Sequence, residues 1–235
     1  MTEPATSEPA PASAGTTRDY PVVDFAGLFA GAGIDFAAAR AAVMARYAEL
    51  DARNSRNTSA LQLPCAKGCS ACCHESVFVT PLEFAVAWDW AQTNLDDATR
   101  AQIIAEGLVL YERHRDLITA CDAPPPAGAR DHFAIARELR FRCPFLGLAG
   151  DCRIYPVREL YARLFGCSFN DEGGVYGCDL VGKHLDGKVV TLVSVGRAVE
   201  QFRELPLTGK RQVYPYYLHL LFGATEAVDD ARSDT

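Results

Sequence analysis

The sequence predicts a mainly α, small and irregular helical domain with cysteine-rich loops and a short β-hairpin. Apolar residues recur at helical spacing in four to six separate stretches, and clusters of Gly, Pro, Ser and Asn divide them. Eight of the nine cysteines fall into two groups of four. A chain of 235 residues with 49% hydrophobic content has room for one domain with a real core, plus tails. Residues 1–18, rich in Pro, Ala, Ser, Thr and Glu, are expected to be a disordered tail. Residues 19–223 are read as a single domain, with a motif region at 65–178, and 224–235 as a frayed C-terminal tail.

The elements follow in order. "GLFAGAG" at 27–33 is glycine-rich and reads as a loop. Asp35 can cap a helix carrying Phe36, Val43, Tyr47 and Leu50 on one face. A polar stretch, "DARNSRNTSA", then leads into an irregular cysteine loop. Thr80, Pro81 and Glu83 form a capping-box signature that starts a helix over 81–93. Ile103, Ile104, Leu108, Tyr111, Leu117 and Ile118 supply the apolar stripe of another. "CDAPPPAGARD" ends it, because proline removes donors and fixes the backbone. Two short apolar stretches around "GLAGD" predict a hairpin-like knuckle. "PVRELYARLF" reads as a helix with Pro156 at its start, and "GKVVTLVSVGRAVEQFREL" as a strand continuing into a helix. "YPYYLHLLFG" is a short last helix ending at Gly223.

Composition narrows the function classes. No apolar run approaches the roughly 20 residues needed to cross a bilayer, and the N-terminus lacks the basic start and apolar core of a secretory signal. No membrane association and a cytoplasmic location are therefore expected. A net charge of -7 argues against a nucleic-acid partner. Between Arg130 and Arg163, however, seven arginines face four acids, a net +3. Those arginines either form a solvated face or offset thiolate charge at a metal site.

A reducing cytosol disfavours structural disulfides, and nine thiols cannot all pair. The cluster runs Cys65-x3-Cys69-x2-Cys72-Cys73, and Cys143, Cys152, Cys167 and Cys178 follow. Short Cys-to-Cys steps let a tight turn aim two sulfurs at one ion, as zinc and iron-sulfur sites require. The domain is thus expected to be organised around a metal site. Adjacent Cys72 and Cys73 diverge in extended chain, so one of them serves the same ion through a bent backbone, a second ion, or a redox role. Cys121, outside both groups, reads as a small buried hydrophobe. His74 adjoins the cluster and reads as a loop-edge polar residue, with an imidazole ligand in place of a thiol at a zinc or Rieske-like site as the alternative. His114 reads as surface and His219 as a satisfied side chain.

"CAKGCSACCH", followed by "CPFLGLAGDCRIYPVRELYARLFGC", resembles the YkgJ-like cysteine-cluster family, described as a zinc- or iron-chelating domain or iron-sulfur protein with a CxxCxxCC motif. By matching position, the resemblance implies Cys65, Cys69, Cys72, Cys73, Cys143 and Cys152 as ligands. Where the family reads Arg-Pro-x-x-Cys-Arg, this chain has Glu159 for the proline and Ala162 for the cysteine. Cys167 is the candidate substitute for the missing ligand. Arg158 and Arg163 keep their family positions, either facing the cluster or on an exposed helix face where Glu159 and Arg163 would pair weakly.

Other chemistries fail on the residues. "VGKH" and "TGKR" lack the remaining elements of a phosphate loop, and no dinucleotide fingerprint follows a strand. No cysteine has the base and orienting group of a protease nucleophile in an identifiable pattern. The expected function is an intracellular metal-binding protein whose thiolates hold iron, as an iron-sulfur cluster with a redox role and an unidentified protein partner. The alternative is a non-catalytic zinc module with a structural or partner-binding role. No reaction is assigned.

Overall fold

The computed structural model describes residues 20–64, 68–121 and 138–233, with side chains to residue 224. The tail at 1–18, Cys65, the segment after Cys121 with its three prolines, Arg130, His132 and Arg137 lie outside the described residues. Among the described residues the fold is mainly helical, with eight α-helices and two small strand pairs.

Helix α1 (Phe25–Ala30) forms where a glycine-rich loop was expected, because Asp24 caps it by accepting from the Gly27 amide at 3.0 Å. Phe25 and Phe29 then meet Phe36 at ring separations of 5.6 and 5.1 Å, so burial of three aromatics outweighs the cost of the glycines. Helix α2 (Phe36–Thr58) starts at the Asp35 cap as expected, and Val43, Tyr47 and Leu50 are buried. It runs on through the polar stretch that was expected to lie outside it. The reason is Asn54, which is buried and donates through Nδ2 to the Arg163 carbonyl at 3.0 Å.

Helix α3 (Pro81–Asn94) carries the complete capping box: Glu83 N–H donates to Thr80 Oγ1 at 3.1 Å, and Thr80 N–H to Glu83 Oε2 at 3.0 Å. Leu82, Phe84, Ala85, Val86, Ala87, Trp88 and Ala91 are all buried, so the helix is enclosed on every side in its first two turns. Helix α4 (Asp97–Ala120) is capped by Asp96 and bent at His114, whose backbone leaves helical values. Helix α8 (Tyr214–Ser233) packs along α4, with Gly107 against Leu218. The expected stop at Gly223 is overrun: "ATEAVDDARS" contains no proline, and an interior glycine costs only about 1 kcal/mol.

The second half is built from short pieces. "PVRELYARLF" is not one helix. A 3-10 turn at Tyr155–Val157 is followed by extended backbone at Arg158 and Glu159, and only then by α5 (Leu160–Leu164). After it come β2 (Ser168–Phe169), the unexpected helix α6 (Asp179–Leu185), and the expected strand-to-helix transition, β3 (Val193–Ser194) into α7 (Val195–Phe202). Val181 and Leu185 of α6 bury themselves against Leu61, Leu63 and Phe165. Strands β2 and β3 pair in parallel. Strand β1 (Phe78–Val79) pairs antiparallel with β4 (Gln212–Val213), tying the residues that lead into α3 to those that lead into α8. No helix among the described residues is long and apolar enough to cross a membrane.

Candidate metal centre

The expected knuckle is present as a tight turn with a single antiparallel bridge, Leu146 to Cys152. Gly147 N–H donates to the Asp151 carbonyl at 2.8 Å, and Arg153 N–H to the Phe145 carbonyl at 2.9 Å. Two arginines brace it from outside. Arg142 donates to the carbonyls of Leu146 and Gly147 at 2.6 and 3.3 Å and pairs with Glu106 at 3.2 Å, while Arg153 donates to Gln102 Oε1 at 3.1 Å. Both acceptor side chains belong to α4, so these arginines anchor the knuckle to a long helix. They are not a bare basic face.

On the other side, "ACCH" forms a 3-10 turn at Ala71–His74, closed by Cys73 N–H to the Ser70 carbonyl at 2.8 Å. That curvature answers the adjacency of Cys72 and Cys73. The two thiols are near enough to be coupled, and a proton held on Cys73 favours the Cys72 thiolate. The Cys143 amide then donates to the Cys73 carbonyl at 2.7 Å, joining knuckle to loop. Gly150, with φ of +77°, lies so close to the loop that a Cβ there would stand 3.2 Å from the Gly68 carbonyl oxygen.

The thiols of both halves sense one another. Burial is the main cause that pushes the Cys143 thiol up, and negative charge on Cys152 and Cys72 adds to it. Burial likewise pushes Cys152 up to about 12, with Glu159 and Cys72 contributing. The Phe145 amide favours the Cys143 thiolate and the Ile154 amide the Cys152 thiolate, each by donating toward the sulfur two residues before it. The proton held on Cys73 is the largest cause holding Cys72 down at about 7, against burial, and Arg158 helps. Cys73 goes up in return. Burial also raises Cys167, and negative charge on Cys178 and Cys72 adds to it, while Arg158 opposes the rise. Arg158 is therefore the guanidinium shared by Cys72, Cys152 and Cys167, held with its Cζ 4.2 Å from the centre of the Tyr155 ring.

The other predicted positions are distributed as follows. Cys69 is partly buried beside the 3-10 turn, and Cys178 is buried at the start of α6 with Val181 and Leu185 as neighbours. Cys121 is a buried apolar neighbour of Phe78, Ile118 and Leu139, as read from the sequence. The eight described cysteines are all free thiols. Among the described residues, no group of three or more His, Cys, Asp or Glu side chains stands close enough to hold a metal ion. His74 is exposed, and His219 stacks on Tyr111 with ring centres 3.8 Å apart.

Arg163 is not on an exposed face and does not pair with Glu159. It is 3% exposed, bonds Asp51, donates to the Arg158 and Pro156 carbonyls at 2.7 and 2.8 Å, and lies over the Tyr47 ring. Glu159 turns the opposite way. The extended backbone before α5 drives its carboxyl inward, where it accepts from Tyr214 Oη at 2.6 Å and contributes charge at Cys72, Cys143 and Cys152. Glu83, 1% exposed, lies behind it and accepts four bonds, from Tyr47, Leu160 N–H, Thr80 N–H and Arg211. Sequence reasoning found Glu83 only as a cap. Nothing in the spacing marked Glu159 as buried.

No family model, curated protein or solved structure matches the chain.

Proposed function

We propose that the protein binds a soft metal ion through thiolates and that the metal is iron, held as an iron-sulfur cluster with a redox role. The observation that carries this reading is the seam between the two cysteine groups. A backbone hydrogen bond from Cys143 to Cys73 brings loop and knuckle together, and amides directed at the Cys143 and Cys152 sulfurs favour their ionised, metal-binding form. The resemblance to the YkgJ-like family supports the same chemistry and names Cys65 as a further ligand. Cys69, Cys72, Cys73, Cys143 and Cys152 are the remaining ligands of the family pattern, and Cys167, which senses charge on Cys72, is the candidate for the position that Ala162 leaves without sulfur. Cys178 completes the second group. One cluster takes four of these sulfurs, and drawing sulfurs of both groups onto it requires the Cys69–Cys73 loop to close further on the knuckle, so metal binding is coupled to local folding. An intracellular setting and a protein redox partner belong to this proposal, as does the absence of a nucleic-acid partner.

A zinc module is the second reading, favoured by the turn between Cys143 and Cys152, whose paired amides suit a tetrahedral thiolate site equally well. Oxygen-free purification followed by a visible spectrum and metal and sulfide analysis separates the two. Brown protein with broad visible absorption, iron and acid-labile sulfide is the expected result. Colourless protein carrying zinc would replace the first reading with the second, and protein that takes up neither metal on reconstitution would remove both.

A further inference from the structure

The arginines of the knuckle and of the turn and helix after it have acceptors, with one exception. Arg140 pairs with Glu75 at 3.8 Å and Arg142 with Glu106 at 3.2 Å, Arg153 donates to Gln102, and Arg163 bonds Asp51 and two carbonyls. Arg158 differs. Among the described residues no oxygen, nitrogen or sulfur accepts a hydrogen bond from its guanidinium, and its Nε is buried with no partner. A charged donor in that state has given up hydration without replacing it, a cost that a bound anion removes.

The guanidinium is nevertheless held in place. Tyr155 N–H donates to the Cys152 carbonyl at 3.2 Å and Val157 N–H to the Ile154 carbonyl at 2.9 Å, which sets the 3-10 turn leading into Arg158, and Arg163 fixes the Arg158 carbonyl at 2.7 Å. The Tyr155 ring, 59% exposed, then lies against the guanidinium, with Cζ 4.2 Å from its centre. Stacking fixes the plane of the cation and leaves its terminal nitrogens free, and a planar fork of N–H groups matches two oxygens of a carboxylate or phosphate. The fork stands at the thiol site: the turn that carries it is bonded to Cys152, and its charge is felt at Cys72 and Cys167. The buried carboxyl groups behind the site do not fill it, because Glu159 accepts from Tyr214 and Glu83 from Arg211.

We propose that Arg158, presented by Tyr155, is a receptor for an oxyanion, the carboxylate or phosphate group of a small-molecule ligand, which it seats beside the Cys72 and Cys152 sulfurs. The terminal nitrogens of the fork donate to two oxygens of the anion, and the exposed Tyr155 ring borders the approach. The receptor is a property of the folded, metal-free chain. It goes beyond the metal reading and does not rest on it.

Alkylation of Cys72 tests it on the metal-free full chain. Iodoacetate and iodoacetamide present the same electrophilic carbon; with either, the Cys72 thiolate forms the S–C bond as the C–I bond breaks and iodide leaves, but only iodoacetate brings a carboxylate. The ratio of the two rates at Cys72, measured at one pH by peptide mapping, cancels the degree of thiol ionisation. It is expected to be about tenfold higher in wild type than in Arg158→Gln, the worth of one charge-assisted hydrogen bond, with Arg158→Lys in between because an ammonium lacks the fork. Equal ratios in wild type and Arg158→Gln, with both reagents slowed alike, would overturn the proposal and leave Arg158 serving the thiolate alone. A second measurement needs no variant: in wild type, sodium acetate or inorganic phosphate, balanced with sodium chloride to constant ionic strength, should lower the iodoacetate rate. Inhibition by acetate alone identifies a carboxylate receptor and by phosphate alone a phosphate receptor, while inhibition by neither would replace the receptor with a diffuse positive field. Failure of the chain to take up iron or zinc would remove the metal reading and leave these ratios as they are.

Discussion

The backbone amide of Cys143 donates to the carbonyl oxygen of Cys73 at 2.7 Å, so the knuckle and the cysteine loop are joined through main chain before any sulfur takes part. The joint depends on close approach, and Gly150 is its tightest point. Gly150→Ala would place a Cβ 3.2 Å from the Gly68 oxygen and force a side chain into the left-handed region, which costs roughly 1–2 kcal/mol. Chemical denaturation should show a loss of about that size. Metal affinity should fall as well, whereas Gly173→Ala, at a positive-φ position with open space around it, should show the backbone cost alone.

Among the described thiols, Cys72 should be the most reactive. The proton held on Cys73 and Arg158 keep it at about 7, so near neutral pH roughly half is thiolate, against a few per cent for an ordinary cysteine. Iodoacetamide labelling followed by peptide mapping should give a rate at Cys72 that rises through a midpoint near pH 7. Cys73→Ala removes the main stabilising contact and Arg158→Gln a lesser one, so both should move the midpoint upward, Cys73→Ala further. An unchanged midpoint in Cys73→Ala would mean that the two side chains do not communicate.

Arg163 shows what was and was not legible in the sequence. Its helix was visible as an apolar pattern, as were the caps at Asp35 and Thr80, because those signals are local: a periodicity or a three-residue spacing carries them. That "PVRELYARLF" would break at Arg158 and Glu159 was not visible, since the break is dictated by partners far away in the chain. Asp51 and the Tyr47 ring receive Arg163, and Tyr214 receives Glu159. The knuckle was legible by its turn residues. The coupling of Cys72 with Cys73 was not, because it needs the 3-10 curvature of Ala71–His74. Helix α6 was missed for a similar reason: it is short, and its burial depends on Leu61 and Leu63.

The same network makes Arg163 a stability determinant. Arg163→Ala would leave two carbonyls without their donor and remove a planar group from Tyr47, a loss of about 2–4 kcal/mol by the usual cost of buried unsatisfied groups and lost packing. Arg163→Lys restores the charge but not the fork that reaches both carbonyls, and should recover only part of it. Because Asp51 is 46% exposed, Asp51→Asn should cost much less than Arg163→Ala, and equal losses would show that the ion pair outweighs the carbonyl contacts.

Gly107 sets how closely α4 and α8 approach. A Cβ there would collide with the Leu218 Cδ1 atom, and Leu218 is fully buried. Gly107→Ala gains up to about 1 kcal/mol of helix propensity and meets an overpacking cost of about 1–3 kcal/mol, so net destabilisation is expected. Pairing it with Leu218→Val, which shortens the obstructing side chain, should return part of the loss. A double variant no better than the sum of the singles would place the strain elsewhere.

Glu159 supplies a pH signature of folding that is independent of any metal. Burial raises its carboxyl above the ordinary 4.5, so between that value and the folded-state value the native chain binds a proton that the unfolded chain has released. The sign is then set: this contribution is fully present below the unfolded pKa and is lost as pH rises through the folded one. Stability should fall by up to about 1.4 kcal/mol per pH unit across the interval, relative to a chain without the group. Other carboxylates add their own slopes, so the quantity to compare is the difference between wild type and Glu159→Gln, from denaturant midpoints taken every half unit upward from pH 4. That difference should move steadily in favour of the variant as pH rises and level off above the folded pKa. A difference that stays flat would show that Glu159 ionises in the folded protein as it does in the unfolded chain.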